Sequence, residues 1–176
     1  MEVCLVLTLL GPDRPGVVKQ LAALVGAHGG NWLESRMGRL GGEFAGILRC
    51  QVPADRRGDF ETALGAWAKV GFAVVVKADP GHRSEGGGEA TIELVGQDRT
   101  GIVQQVSAAL ARHEVNLEEL ETECRSAPMS GEMLFHAQAR VWIPATCDLA
   151  ALQVELERIA ADLQVDLALH PAGGAG

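Results

Sequence analysis

"GPDRPGVVKQLAALVGAHGGNWLE" at residues 11–34 is matched, 85 residues later, by "GQDRTGIVQQVSAALARHEVNLEE" at residues 96–119. Ten of the 24 aligned positions are identical: Gly, Asp, Arg, Gly, Val, Gln, Ala, His, Asn and Glu. A repeat of this length changes the meaning of every shorter motif inside it, because each structural unit is built twice. The stretch between the copies, "DPGHRSEGGG" (79–88), has the Pro, Gly and Ser content of a linker. The sequence therefore divides into residues 1–78, a linker at 79–88, residues 89–170, and a flexible tail, "PAGGAG", at 171–176.

Both halves read in the same order. Apolar or alternating runs at 2–10 and 89–96 predict strands. Val17, Val18, Leu21, Leu24 and Val25, and then Ile102, Val103, Val106 and Leu110, recur at helical spacing. Those helices end at His28 and His113, where the helix dipole favours a basic side chain. Further strands are predicted at Asn31–Leu40, Glu43–Val52, Asn116–Arg125 and Met133–Ile143, with Gly41-Gly42 and Ser130-Gly131 as hairpin turns. Second helices at about 59–70 and 149–163 lead to final strands at 72–77 and 165–169. The fold class is α+β, with order βαββαβ twice. Each half is a ferredoxin-like unit whose antiparallel sheet has a central first strand and carries both helices on one face.

The repeated turn Gly-x-Asp-Arg-x-Gly is neither a Walker loop nor a dinucleotide fingerprint. Gly16 precedes Val17-Val18 and Gly101 precedes Ile102-Val103, with no Lys-Ser/Thr, and a third glycine is missing. Gly11 and Gly96 suit a chain leaving a strand. Asp13 and Asp98 can cap the following helices, Pro15 fits an early helical position, and Thr100 can itself cap. Gly16 and Gly101 are poor helix formers, by about 1 kcal/mol against Ala, so their repetition asks for a reason. One reading is close packing at the helix start. The other is a small anion held on free N–H groups, with an ammonium on the Asp carboxylate, which together suit an α-amino acid. Arg14 and Arg99 either reach a carboxylate or lie solvated beside the turn.

With these residues in view, the strand, the "GPDRPGVV" turn and the "HGGNWLESRMG" that follows resemble the ACT domain, a ferredoxin-like sensor of small ligands, usually amino acids. The tandem pair, from about residue 2 to 170, resembles the glycine cleavage system transcriptional repressor family. The resemblance implies ligand contacts at interfaces between domains, from Gly11, Asp13, Gly16 and Asn31 and from Gly96, Asp98, Gly101 and Asn116, and the turn reading adds Arg14 and Arg99 as candidates. It implies a ligand of the glycine or serine class, and a protein partner such as a DNA-binding transcription activator, and it leaves homo-oligomers open. Asn31 and Asn116 can bond a zwitterion or simply serve left-handed turns after a helix. The copies depart from each other where Glu114-Val115 replaces Gly29-Gly30 and where the second hairpin lengthens to "RSAPMSGEM".

Composition narrows the function further. Residues 1–80 carry nine basic and eight acidic side chains, residues 81–176 six and fifteen, for a net charge of −8. An acidic second half repels a phosphate backbone, so direct nucleic-acid binding is not expected. Cys4, Cys50, Cys124 and Cys147 show neither zinc nor disulfide spacing, which fits reduced thiols. No apolar run approaches the roughly 20 residues of a membrane span. A cytoplasmic protein is expected, without cofactor, metal or membrane. Neither the repeat histidines nor His82, His136 and His170 have a nucleophile or metal partner set by spacing, so no enzyme is expected. Trp32, Trp67 and Trp142 lack the basic interleaving of an RNA-stacking sheet. Two rivals to the sensor remain: the detached regulatory half of an enzyme such as formyltetrahydrofolate deformylase, and a purely structural interaction module.

Overall fold

The structure is a computed structural model that describes residues 1–81, 86–127 and 131–171. The chain divides into two compact units, Met1–His82 and Arg83–Gly176. The first contains β1 (Glu2–Pro12), α1 (Val17–Ala27), β2 (Asn31–Leu40), β3 (Glu43–Pro53), α2 (Arg57–Gly65) and β4 (Ala73–Ala78). The second contains β5 (Gly87–Gln97), α3 (Ile102–Arg112), β6 (Asn116–Ser126), β7 (Met133–Pro144), α4 (Leu149–Leu163) and β8 (Val165–Pro171).

Each unit folds its strands into one antiparallel sheet, ordered β2-β3-β1-β4 and β6-β7-β5-β8. The first strand of each copy is therefore central, as the repeat predicts. Period-2 alternation sends Leu5, Leu7 and Leu9 of β1, and Leu48, Cys50 and Val52 of β3, to the same side. There they meet Val17, Leu21 and Val25 of α1 and Phe60 and Leu64 of α2 in one core. Both helices thus cover one face. Burying an aliphatic side chain of this size stabilises by about 1.5–3 kcal/mol, so these stripes, rather than helix propensity, hold α1 and α2 in place. In the second unit Ile92, Leu94, Ile102, Leu110, Val141, Leu152, Leu156 and Ile159 repeat the arrangement.

Several local expectations are corrected. The second helix of unit 1 is α-helical only from Arg57 to Gly65, between 3₁₀ turns at Ala54–Arg56 and Ala66–Val70. Its end at Gly71, with φ of 90°, is a conformation for which glycine is suited. The nearly continuous apolar run of β1 is buried on one side only, since Thr8 and Leu10 are exposed. The stretch read as a linker is partly structured: Gly87 and Gly88 pair with Pro144 and Ile143 in β7. Asp79 is tied back to the first unit, its N–H donating to the Cys4 carbonyl at 2.9 Å and its carboxylate meeting Arg49 at 2.6 Å. Pro171, placed in the tail by sequence, pairs with Ala90. His82, Ser130 and residues 172–176 lie outside the described residues.

Candidate ligand turns at the two helix starts

The two turns have the same backbone. Asp13 N–H donates to the Gly42 carbonyl at 3.1 Å, and Asp98 N–H donates to the Met133 carbonyl at 3.1 Å. Each of these bonds ties the chain leaving the first strand to the hairpin that follows the second. Gly16 and Gly101 then form the N-caps with φ of 91° and 96°, and the Gln20 and Gln105 amides return to their carbonyls at 2.9 Å. Helix geometry leaves the amides of Val17, Val18 and Lys19, and of Ile102, Val103 and Gln104, without an intrahelical acceptor. Among the described residues no side chain caps either helix.

Asp13, Asp98 and Thr100 are therefore not caps, and Pro15 is not a helical residue. The helices begin later than the sequence suggests, at Val17 and Ile102, which puts both aspartates three positions before the N-cap. The glycines also have reasons other than those expected. At Gly16 and Gly101 there is room for a Cβ, the nearest atoms being Gln20 Nε2 at 3.9 Å and Gln105 Nε2 at 3.7 Å. The left-handed φ, not close packing, is what selects glycine there. Gly11 and Gly96 do not leave their strands but lie within them. A Cβ on Gly11 would stand 2.5–2.8 Å from the Phe72 ring, and one on Gly96 would collide with Val165.

The arginines point toward the same final-strand junction. Arg14 lies over the Phe72 ring at 5.3 Å, a cation–π contact. Arg99 Nη2 donates to Gln164 Oε1 at 2.8 Å and Gln97 Oε1 at 3.2 Å. Asn31 and Asn116 stand at the far ends of the sheets. Asn31 pairs with Gln51, level with Cys4, while Gly11 is level with Phe44. Asn116 is level with Glu89, and Gly96 with Phe135. Seven residues separate the two levels, about 23 Å at about 3.3 Å per residue. Neither unit brings its own asparagine to its own turn, so a ligand touching both kinds of residue needs two domains.

The aspartate carboxylates distinguish the copies. Asp13 forms an ion pair with Arg39, whose Nε lies 2.9 Å from Oδ2, both side chains being substantially exposed. The repeat equivalent of Arg39 is Cys124, which stands near enough to Asp98 for the aspartate's charge to bear on its thiol. Partial desolvation first, and then Asp98, hold that thiol above the usual cysteine range. Among the described residues Asp98 has no basic partner. Sequence reading missed Arg39, Cys124, Gln20, Gln105 and Phe72. Only the glutamines left a signal, as one of the ten repeat identities.

Outside the turns, two hollows of about 330 and 270 Å³ open on the outer face of the second sheet, around Glu93, Glu119, Glu121, Glu123, Gln138 and Arg140. Their acidic lining opposes a carboxylate ligand, and neither hollow includes Asp98 or Gly101. No helix among the described residues is long and apolar enough to cross a membrane.

Comparison with known proteins agrees with the architecture. The ACT domain family model matches residues 4–77, nearly the whole first unit, and the second unit repeats its topology. A crystal structure of an unknown protein from Galdieria sulphuraria is 30% identical, with 98% of this chain and 99% of that chain covered and a TM-score of 0.84. The glycine cleavage system transcriptional repressor of Escherichia coli K12 is 25% identical over 161 residues, 90% of this chain and 85% of that protein. A crystal structure of a candidate glycine cleavage system transcriptional repressor shares the fold at a TM-score of 0.71, with 20% identity and 98% of both chains covered. The similarity to the Escherichia coli repressor supports a regulatory role. Residues 4–77 match the ACT domain, the second unit repeats that topology, and the chain is similar along most of its length to the glycine cleavage system transcriptional repressor.

Proposed function

We propose that this protein is a cytoplasmic regulator that senses a small amino acid, of the glycine or serine class, and passes the signal by protein contact rather than by touching DNA. The observation that carries the reading is a turn built twice on one backbone, with three helix amides that lack an intrahelical acceptor following an aspartate present in both copies. Backbone N–H groups at a helix start suit the ligand's carboxylate, and a turn aspartate suits its ammonium. The proposed ligand residues are Gly11, Asp13, Arg14, Gly16, Gly96, Asp98, Arg99 and Gly101. Asn31 and Asn116 serve in this reading only toward the turn of another domain.

The similarity to a transcriptional repressor supports a partner in transcription, proposed here as a DNA-binding activator restrained by contact. The fifteen acidic side chains of residues 81–176 oppose direct DNA binding and suit a basic partner surface. A non-catalytic protein fits the histidine environments, since His28 meets the Leu24 carbonyl and His113 meets Glu155, neither activating a Cys or Ser. The domain limits proposed are 1–78 and 89–170, with short structured extensions into the segments beside them.

Calorimetry of the purified full chain against the amino acids, beginning with glycine and serine, tests the sensor. Co-purification tests the partner, provided that the captured protein is a DNA-binding activator released by the amino acid that binds. Capture of a metabolic enzyme instead would support a detached regulatory subunit. Absence of any amino-acid binding would leave a structural module.

A further inference from the structure

We propose that one side chain at the end of each unit's second strand decides which turn is open to a ligand ammonium: Arg39 closes the first and Cys124 leaves the second open. This rests on the sensor reading above and names the copy and the residue that govern it.

The comparison is controlled by the repeat itself. Both turns have the same backbone bond from Asp to the hairpin, the same N-cap glycine with φ near 90°, and the same Gln-to-Gly helical bond. The strand positions also agree, because Arg39 and Gly11 both pair with Phe44, while Cys124 and Gly96 both pair with Phe135. What changes is the group that reaches the aspartate. In the first unit a guanidinium sits on Asp13 at 2.9 Å, so the chain's own cation occupies the place an ammonium would take. In the second, the same register position carries Cys124, whose side chain brings no positive charge to Asp98. Among the described residues no cation is paired with the Asp98 carboxylate. Arg125, next to Cys124, is paired with Glu123, and Arg99, next to Asp98, is turned to Gln164.

A ligand entering the first turn must displace Arg39. The Arg39–Asp13 pair is exposed, so its displacement weakens binding only about two- to fivefold. That is a preference between copies, and it is reversible by exchange of the two side chains.

The test is a ¹⁵N NMR titration of the full chain with glycine, serine and, as a cation without a carboxylate, methylammonium. Amides of Gly101–Val103 are expected to shift at lower concentrations than those of Gly16–Val18. Arg39→Cys should tighten the first turn about two- to fivefold, and Cys124→Arg should weaken the second by a similar factor. Both positions are exposed, and Arg39→Gln and Cys124→Lys provide second variants with the same expected directions. Equal response of the turns, or a stronger first turn, overturns the assignment while the sensor reading stands. Response to methylammonium at the second turn, with none to any amino acid, overturns the sensor reading and supports the assignment. Silence toward every probe overturns both.

Discussion

His113 Nε2 lies 2.9 Å from Glu155 Oε2 and so ties α3 to α4 through a charged contact, whereas the repeat-equivalent His28 bonds the Leu24 carbonyl and sets its ring edge-on to Phe60 at 5.5 Å. One duplicated histidine thus closes an apolar helix pair in the first unit and an ionic one in the second. The α3–α4 tie is shared by Arg112, whose guanidinium also holds Glu155 Oε1.

That difference predicts an acid-sensitive second unit. Arg112 first, and then His113, hold the Glu155 carboxyl below the usual carboxylate range. A depressed folded value favours the folded state above the unfolded value of about 4.3, and the contribution fades as pH falls through the folded value. Protection of the α4 amides, corrected for intrinsic exchange, should fall between about pH 5 and pH 3, and Glu155→Gln should flatten that part of the profile. An unchanged profile in the variant would assign the acid response to other carboxylates, such as Asp79 in the first unit, which the Gly81 N–H and Arg49 hold low.

Two glycines in one turn should respond oppositely to the same substitution partner. Gly11→Ala drives a methyl into the Phe72 ring, an overpacking worth about 1–3 kcal/mol. Gly16→Ala meets open space but keeps φ near 91°, at about 1–2 kcal/mol. In a Phe72→Ala background the cost of Gly11→Ala should largely vanish and that of Gly16→Ala should persist. Urea melts of the four combinations read the difference.

The repeat made the architecture legible, because two copies of a 3.6-period helix between period-2 strands admit few folds. The turn's chemistry was less legible. Asp13 and Asp98 look like caps from local spacing, yet the helix starts beyond their reach and their partners, Arg39 and Cys124, stand 26 residues away in sequence. No local pattern encodes that meeting; hairpin register brings it about. Gly11 presents the same difficulty, since the ring that excludes a side chain there comes from Phe72, across the α2–β4 junction. Asn31 follows its helix closely in sequence but stands a sheet's length from the turn before that helix, which only the up-and-down path of the chain reveals.

Cysteine labelling should separate the thiols by environment. Cys50 is fully buried, and burial pushes its thiol up to about 11, so it should react only on unfolding. Cys124 is exposed and should label in the folded protein, slowly at neutral pH and faster as pH rises. If the Asp98 contact controls this rate, Asp98→Asn should speed Cys124 labelling, because removing the neighbouring negative charge favours the thiolate. Mass spectrometry of the labelled peptides gives both rates.

The aspartates give the decisive test of the turns, because the structure removes a confounding role. Had Asp98 capped α3, its loss would destabilise the fold by about 1 kcal/mol and binding could fall for that reason alone. It does not cap, so Asp98→Ala should melt within about 0.5 kcal/mol of the parent, as surface substitutions do. The same variant should lose a charge-assisted bond of roughly 1.5–3 kcal/mol to the ligand ammonium, weakening binding about ten- to a hundredfold. Asp13→Ala should do less, since Arg39 already occupies that carboxylate. Asn31→Ala and Asn116→Ala stand about 23 Å from the turns of their own units. A loss of affinity in either would show that the ligand is held by two domains at once. Titration and melting of all four variants, measured together, separate the roles: if Asp98→Ala folds and binds every amino acid as the parent does, the turn is structural, and regulation must act through the partner contact alone.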